Sequence, residues 1–96
     1  MTLDFVSVSP LGACIEYITT LGYYDDGRLG EVFLGSPKIG TDIDIATRDA
    51  AMILSFALQH GADVATMRAA MSRDATGRPE GVMGTLLDLI TDGSST

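Results

Sequence analysis

The stretch Tyr24-Asp25-Asp26-Gly27-Arg28-Leu29-Gly30-Glu31-Val32-Phe33 decides the fold, because it sets a hairpin tip directly before a strand. Asp26-Gly27 is a strong turn signal: a two-residue type I′ turn needs positive φ at both central positions, which Asp and Gly tolerate better than most residues. With the turn centred there, Leu21 falls opposite Val32, Thr20 opposite Phe33 and Glu31 opposite Gly22. Upstream, Ile15, Tyr17, Leu21 and Tyr23 line one face of residues 13–24, with Glu16 and Thr20 on the other, the period-two pattern of a strand. Residues 2–8 alternate more weakly and stop at Pro10, and they read as a further short strand. The strand after the turn closes near Gly35-Ser36-Pro37.

Downstream the period becomes helical. Thr41 is a good N-cap, with Asp44 at the third helical position and Asp42 and Asp44 both at the positive end of the helix dipole. This helix runs to about His60 and stops at Gly61, which supplies a left-handed cap. Ala50 to Leu58 is apolar nearly all round apart from Ser55, which predicts a central, buried helix. A second helix opens at Asp63 as N-cap, carries Val64, Met67, Ala70 and Met71 as an apolar stripe, and ends near Arg73. Residues 74–81 form a connecting loop. Val82, Met83, Leu86, Leu87, Leu89 and Ile90 then predict a third helix, with residues 93–96 as a flexible tail. The expected fold is α+β: a two- or three-stranded antiparallel meander followed by two or three helices packed on one face, in a single domain over residues 1–92.

Composition narrows the function classes. Ninety-six residues, 46% of them apolar, suffice for one modest core without disulfides or metal. The lone Cys14 cannot form an internal bridge, and no Cys/His run has metal-ligand spacing, so a reducing, cytoplasmic setting is expected. No export signal or membrane-spanning run is legible. Six basic against thirteen acidic residues give a formal charge of −7, which repels nucleic-acid phosphates and favours a partner with a basic surface. Solubility is the simpler account of the same charge.

The residues that could carry chemistry do not assemble into a mechanism. His60 sits where a helix C-terminus favours a cation, with no second base or carboxylate at helical spacing. Cys14 has no neighbouring base or CxxC partner and reads as a small core or edge residue. The segment 35–41 is superficially similar to a phosphate-binding loop, but Lys38 stands inside the loop rather than before the hydroxyl, and Asp42 and Asp44 would repel a phosphate. The acidic clusters lack calcium-loop spacing. The methionines at apolar helical positions read as core filler.

Asp26-Gly27-Arg28 followed by Glu31-Val32-Phe33, then Lys38 and Gly40, then Arg48 and Ile53-Leu54-Ser55-Phe56-Ala57-Leu58 closing at Gly61, resembles the TSCPD domain family over roughly residues 13–62. These small modules occur at the C-terminus of some adenosylcobalamin-dependent ribonucleotide reductases and as free-standing proteins. The nearest counterpart of the family's Thr-Ser-Cys-Pro-Asp string is Thr76-Gly77-Arg78-Pro79-Glu80, with arginine in place of the cysteine, so a thiol or metal role there is not carried over.

What the resemblance implies is an accessory module without catalytic residues or cofactor, whose candidate partner is ribonucleotide reductase; a basic nucleic-acid-handling complex is the candidate partner on charge. The candidate binding residues are Asp25, Asp26, Arg28, Glu31, Lys38, Asp42, Asp44 and Asp49. The alternative is a small acidic inhibitor of the phage type, an anti-CRISPR-like or nucleic-acid mimic, which needs those carboxylates in one strip. Because so small a sheet leaves a face open, with Tyr24, Leu29 and Phe33 as candidates to lie on it, a homodimer through the sheet or its edge is also expected.

Overall fold

In the computed structural model, which describes residues 1–36 and 40–94, the chain runs β1 (Thr2–Val8), β2 (Cys14–Tyr23), β3 (Leu29–Gly35), α1 (Asp42–Gln59), α2 (Val64–Ala70) and α3 (Val82–Ser94). The strands form one antiparallel sheet in the order β1-β2-β3, so the α+β meander expected from the sequence is what the chain adopts. Leu21 pairs with Val32, Thr20 with Phe33 and Gly22 with Glu31, the register read from the turn.

The turn itself differs. Gly27 N–H donates to the Tyr24 carbonyl and Tyr24 N–H to that of Arg28, while Gly27 alone has positive φ. This is a three-residue loop, a type I turn closed by a left-handed glycine, rather than a two-residue type I′ turn. The ladder absorbs the difference in a bulge: Tyr23 pairs with Leu29, leaving Gly30 as the extra residue on β3. Gly30 lets the Tyr24 ring lie against the bulge, since a Cβ there would sit 2.7 Å from Cε2 and push the ring away. The bulge also resets the alternation. Leu29 therefore packs against the core and does not lie on the open face as expected, whereas Phe33 does.

One face of the sheet (Tyr17, Leu21, Val32, Leu34) packs against Ala51, Leu54 and Leu58 of α1 and Leu86 and Leu87 of α3 to form the core. Ser7 and Thr19 are buried on that same face, each hydrogen-bonded: Thr19 Oγ1 donates to the Phe33 carbonyl, and Ser7 Oγ lies 3.5 Å from Thr85 Oγ1.

Three expectations about helices are corrected. α1 is not buried all round: Ala51, Leu54, Ser55 and Leu58 face inward, whereas Ile45, Met52, Ile53 and Phe56 are each more than half exposed. Among the described residues no strand or helix covers that outer side. α2 ends at Ala70, not near Arg73, because Arg73 turns back to Asp88 on α3, donating from Nη2 at 2.7 Å and from Nη1 at 3.1 Å. Arg68 reaches the same carboxylate at 2.6 Å. And α3 continues through Asp92 to Ser94, where a tail was expected. Cys14 is exposed at the start of β2 rather than in the core.

Candidate functional surface

Asp25 and Asp26 stand at the exposed tip of the β2–β3 hairpin. Asp26 is not a free charge: it accepts Nε of Arg28 at 2.7 Å and the Arg28 backbone N–H at 3.0 Å, and those bonds hold its carboxyl below the ordinary value. The Arg28 guanidinium in turn lies 5.2 Å from the centroid of the Tyr24 ring, so the tip is braced by its own side chains. Glu31 is exposed beside Gly22 on the sheet face opposite the core.

Asp44, taken with these as a partner-binding candidate, is 1% exposed. Its Oδ2 accepts Gly40 N–H at 3.0 Å and its Oδ1 accepts Ser36 N–H and Oγ–H, while Arg48 Nε approaches at 3.4 Å. The Gly40 bond, more than any other, holds the carboxyl below its usual range, against the opposing effect of desolvation. Asp44 therefore pins the β3–α1 connection to the first turn of α1 and is withdrawn from any partner. Asp42 and Asp49 are exposed on α1, and Lys38 lies outside the described residues.

The carboxylates do not gather in one place. Ser36 meets Asp44, Val32 meets Ser55 and Gly30 meets Gln59, so α1 runs antiparallel along β3. The hairpin-tip acids thus sit by the C-terminal end of α1 and Asp42 at its start, about 26 Å apart at 1.5 Å rise per residue. Among the described residues these acids stand at opposite ends of α1, with Asp49 the only exposed acid between them on the helix, a sparser arrangement than the strip that mimicry of a nucleic-acid backbone needs.

What sequence reading missed is an apolar surface. Ile45, Met52 and Phe56 recur at helical spacing down the outer side of α1, with Ile53 beside them at 69% exposure and Asp49 between them. Met52 also borders a groove of about 470 Å³ whose other walls include Phe33 and Ile18 on the open sheet face and Arg48. The helix stripe and the sheet face therefore meet along one margin. The signal was present as the apolar run in residues 50–58; it was read as burial because sequence alone does not say how many neighbours the helix has.

A second depression, about 710 Å³, is lined by Val6, Cys14, Ile15, Glu16, Ser36, Thr41 and Ile43. Among its described lining residues are one carboxylate and one thiol and no second base, so they make no acid–base pair. Among the described residues no cluster of His, Cys, Asp and Glu could hold a metal ion, and no helix is long and apolar enough to cross a membrane. His60 takes the C-cap position of α1, its N–H shared between the carbonyls of Phe56 and Ala57.

Several residues that carry the TSCPD resemblance have structural work. Ser55 bonds β3, Arg48 pairs with Asp44, and Gly61, at φ +86°, caps α1 with its N–H on the Leu58 carbonyl while Ala62 N–H reaches Ala57. Searched against protein-family models, curated proteins and solved structures, the chain finds no match in any of the three.

Proposed function

We propose that this chain is a non-enzymatic interaction module that docks a protein partner through the outer side of α1 and the adjoining Phe33 margin of the sheet. The observation that carries this reading is the apolar stripe Ile45, Met52, Ile53 and Phe56, continuous with Phe33 and Ile18 and each more than half exposed. Monomeric proteins rarely leave so many large apolar side chains together in water, and where they do the patch marks an interaction site. Asp42 and Asp49 flank the stripe, and the chain carries a charge of −7, so the complementary partner is an apolar groove or helix with a basic rim. The resemblance to TSCPD modules nominates nucleotide-reduction machinery as the first partner to try.

The test is a titration of purified adenosylcobalamin-dependent ribonucleotide reductase with the wild-type chain and with the double variant Ile53→Lys, Phe56→Lys. Both side chains are mostly in solvent, so the variant keeps its helical circular dichroism and melting temperature. The expected result is binding by the wild type that is weakened about a hundredfold or more in the variant. No binding by either chain removes the reductase as partner. Equal retention of lysate proteins by the two chains would remove the α1 surface itself.

A further inference from the structure

The two edges of the sheet are finished differently, and the difference identifies a self-association surface. At β3 the outward main-chain groups are met by α1: Ser55 Oγ accepts Val32 N–H at 2.8 Å and donates to the Val32 carbonyl at 3.0 Å, and Gln59 Nε2 reaches the Gly30 carbonyl at 3.4 Å. At β1 no such cover exists. The terminal ammonium of Met1 donates to the Leu21 carbonyl and Leu21 N–H to that of Met1, which makes this a hydrogen-bonded pair. Antiparallel ladders alternate, so Leu3, Phe5 and Ser7 also bond inward to β2, while the N–H and C=O groups of Thr2, Asp4, Val6 and Val8 point outward. Among the described residues nothing bonds those outward groups.

We propose that β1 pairs with β1 of a second copy of this chain, antiparallel about a two-fold axis through Phe5, to give a continuous six-stranded sheet. Only outward-pointing residues can bond across the new seam, so even positions must meet even positions. The register that uses the whole strand sets Thr2 against Val8 and Asp4 against Val6, each pair meeting twice by symmetry, for about eight hydrogen bonds. The shorter register one step away would oppose Asp4 to its own copy, a like-charge pair that is disfavoured. The register one step the other way sets Val6 against Val6 with no like-charge pair, but it forms about six bonds rather than eight, so charge excludes one short register and bond number the other. On the core side, Phe5 stands beside its symmetry mate, extending the Phe5–Tyr17 stack, whose rings lie 5.6 Å apart, into a row of four rings.

Nothing on the strand opposes pairing except Asp4: it has no lysine, no proline before Pro10 and no bulge, the usual devices that protect an edge. The contact is at the small end of stable interfaces, so the dimer is concentration-dependent. It occupies the far edge of the sheet from the α1 surface and does not depend on the partner reading above.

The experiment is sedimentation equilibrium over a concentration series for the wild type, Val6→Pro, Val6→Lys, Val6→Asp and the α1 variant Ile53→Lys, Phe56→Lys. Val6 N–H points outward, so proline removes a seam bond without removing one from the β1–β2 ladder, and an edge strand tolerates it. The expected pattern is a reversible wild-type dimer and a monomeric, folded Val6→Pro chain. Val6→Lys, which sets an ammonium against Asp4 of the other copy, self-associates more tightly, and Val6→Asp about tenfold more weakly. The α1 variant dimerises as wild type. A wild type that stays monomeric at its highest soluble concentration overturns the proposal, as does a dimer that survives Val6→Pro or is lost in the α1 variant.

Discussion

The β3 edge and the β1 edge belong to one sheet, yet one is roofed by a helix that bonds its main chain and the other is bare. The roofed edge has a polar residue where the helix lies over it: Ser55, buried, with its hydroxyl spent in both directions on Val32. The bare edge has its helix, α3, over the core face, where Leu86 and Leu87 pack, and the outward groups of β1 are left to water or to another strand. An edge is thus closed by the position of one hydroxyl on a covering helix and not merely by a helix being near.

Ser55→Ala gives the largest effect expected from this comparison. It leaves a buried N–H and a buried C=O of Val32 without a partner, and urea unfolding should show a loss of about 2–3 kcal/mol. The matched change on the bare edge, Thr2→Ala, removes only an exposed hydroxyl 3.4 Å from that of Thr20 and should stay within about 0.5 kcal/mol. Equal effects at the two positions would end the distinction between the edges.

Acid should separate the two halves next. Asp88 joins α3 to α2 and to the loop after it, and the Arg73 guanidinium bonded to it, with Arg68 assisting against desolvation, lowers its carboxyl from the ordinary 3.8 to about 2. A depressed folded value means that the ion cluster contributes fully above about pH 4 and is lost as pH falls towards 2, on the order of 1–2 kcal/mol for a carboxylate that is 22% exposed. Asp44 is also held below its usual range, so the β3–α1 connection loosens in the same direction. The Ser55–Val32 bonds are neutral and do not titrate. Hydrogen exchange between pH 4 and pH 2.5 should therefore show α2, α3 and the first turn of α1 losing protection while α1 around Ser55 keeps it against β3; uniform loss would mean that the cluster is not what holds the α3 side.

Much of the fold was legible because turn and cap chemistry is local. Thr41 and Asp63 cap α1 and α2 as read, accepting the N–H groups of Asp44 and Thr66. The Leu21–Val32 register followed from one dipeptide, even though its turn was misassigned. The true turn recurs in the chain: Ser9 to Ala13, Tyr24 to Arg28 and Asp74 to Arg78 all close with the same pair of main-chain bonds and a glycine at φ +85 to +89°. Comparing Pro10-Leu11-Gly12 with Asp25-Asp26-Gly27 and Ala75-Thr76-Gly77 would have exposed that repeat. What local chemistry could not give was the tertiary setting of each helix. The run Ala50–Leu58 looks alike whether one side or both are covered, and the burial of Asp44 goes with Ser36 and Gly40 both bonding its carboxylate.

Gly27→Ala carries the turn chemistry into a smaller prediction. The glycine has φ +89° with open space around its Cβ position, so the cost is conformational and should be about 1 kcal/mol, confined to the hairpin tip. Backbone chemical shifts should move at Tyr24 to Leu29 and leave β1 unchanged. Changes reaching Gly30 and Gln59 would mean that the tip and the roofed edge are coupled through the bulge.

The smallest expected effect tests where the roof stops. Gln59 is exposed, and its amide reaches the Gly30 carbonyl at 3.4 Å, a long bond at the last turn of α1. A bond this long from an exposed donor contributes little, so Gln59→Ala should cost no more than about 0.5 kcal/mol, a fraction of the Ser55→Ala loss. The ordering follows from the two donors: at Val32 a buried hydroxyl serves both main-chain groups at 2.8 and 3.0 Å, whereas at Gly30, itself buried, the partner is an exposed amide at the end of a long bond.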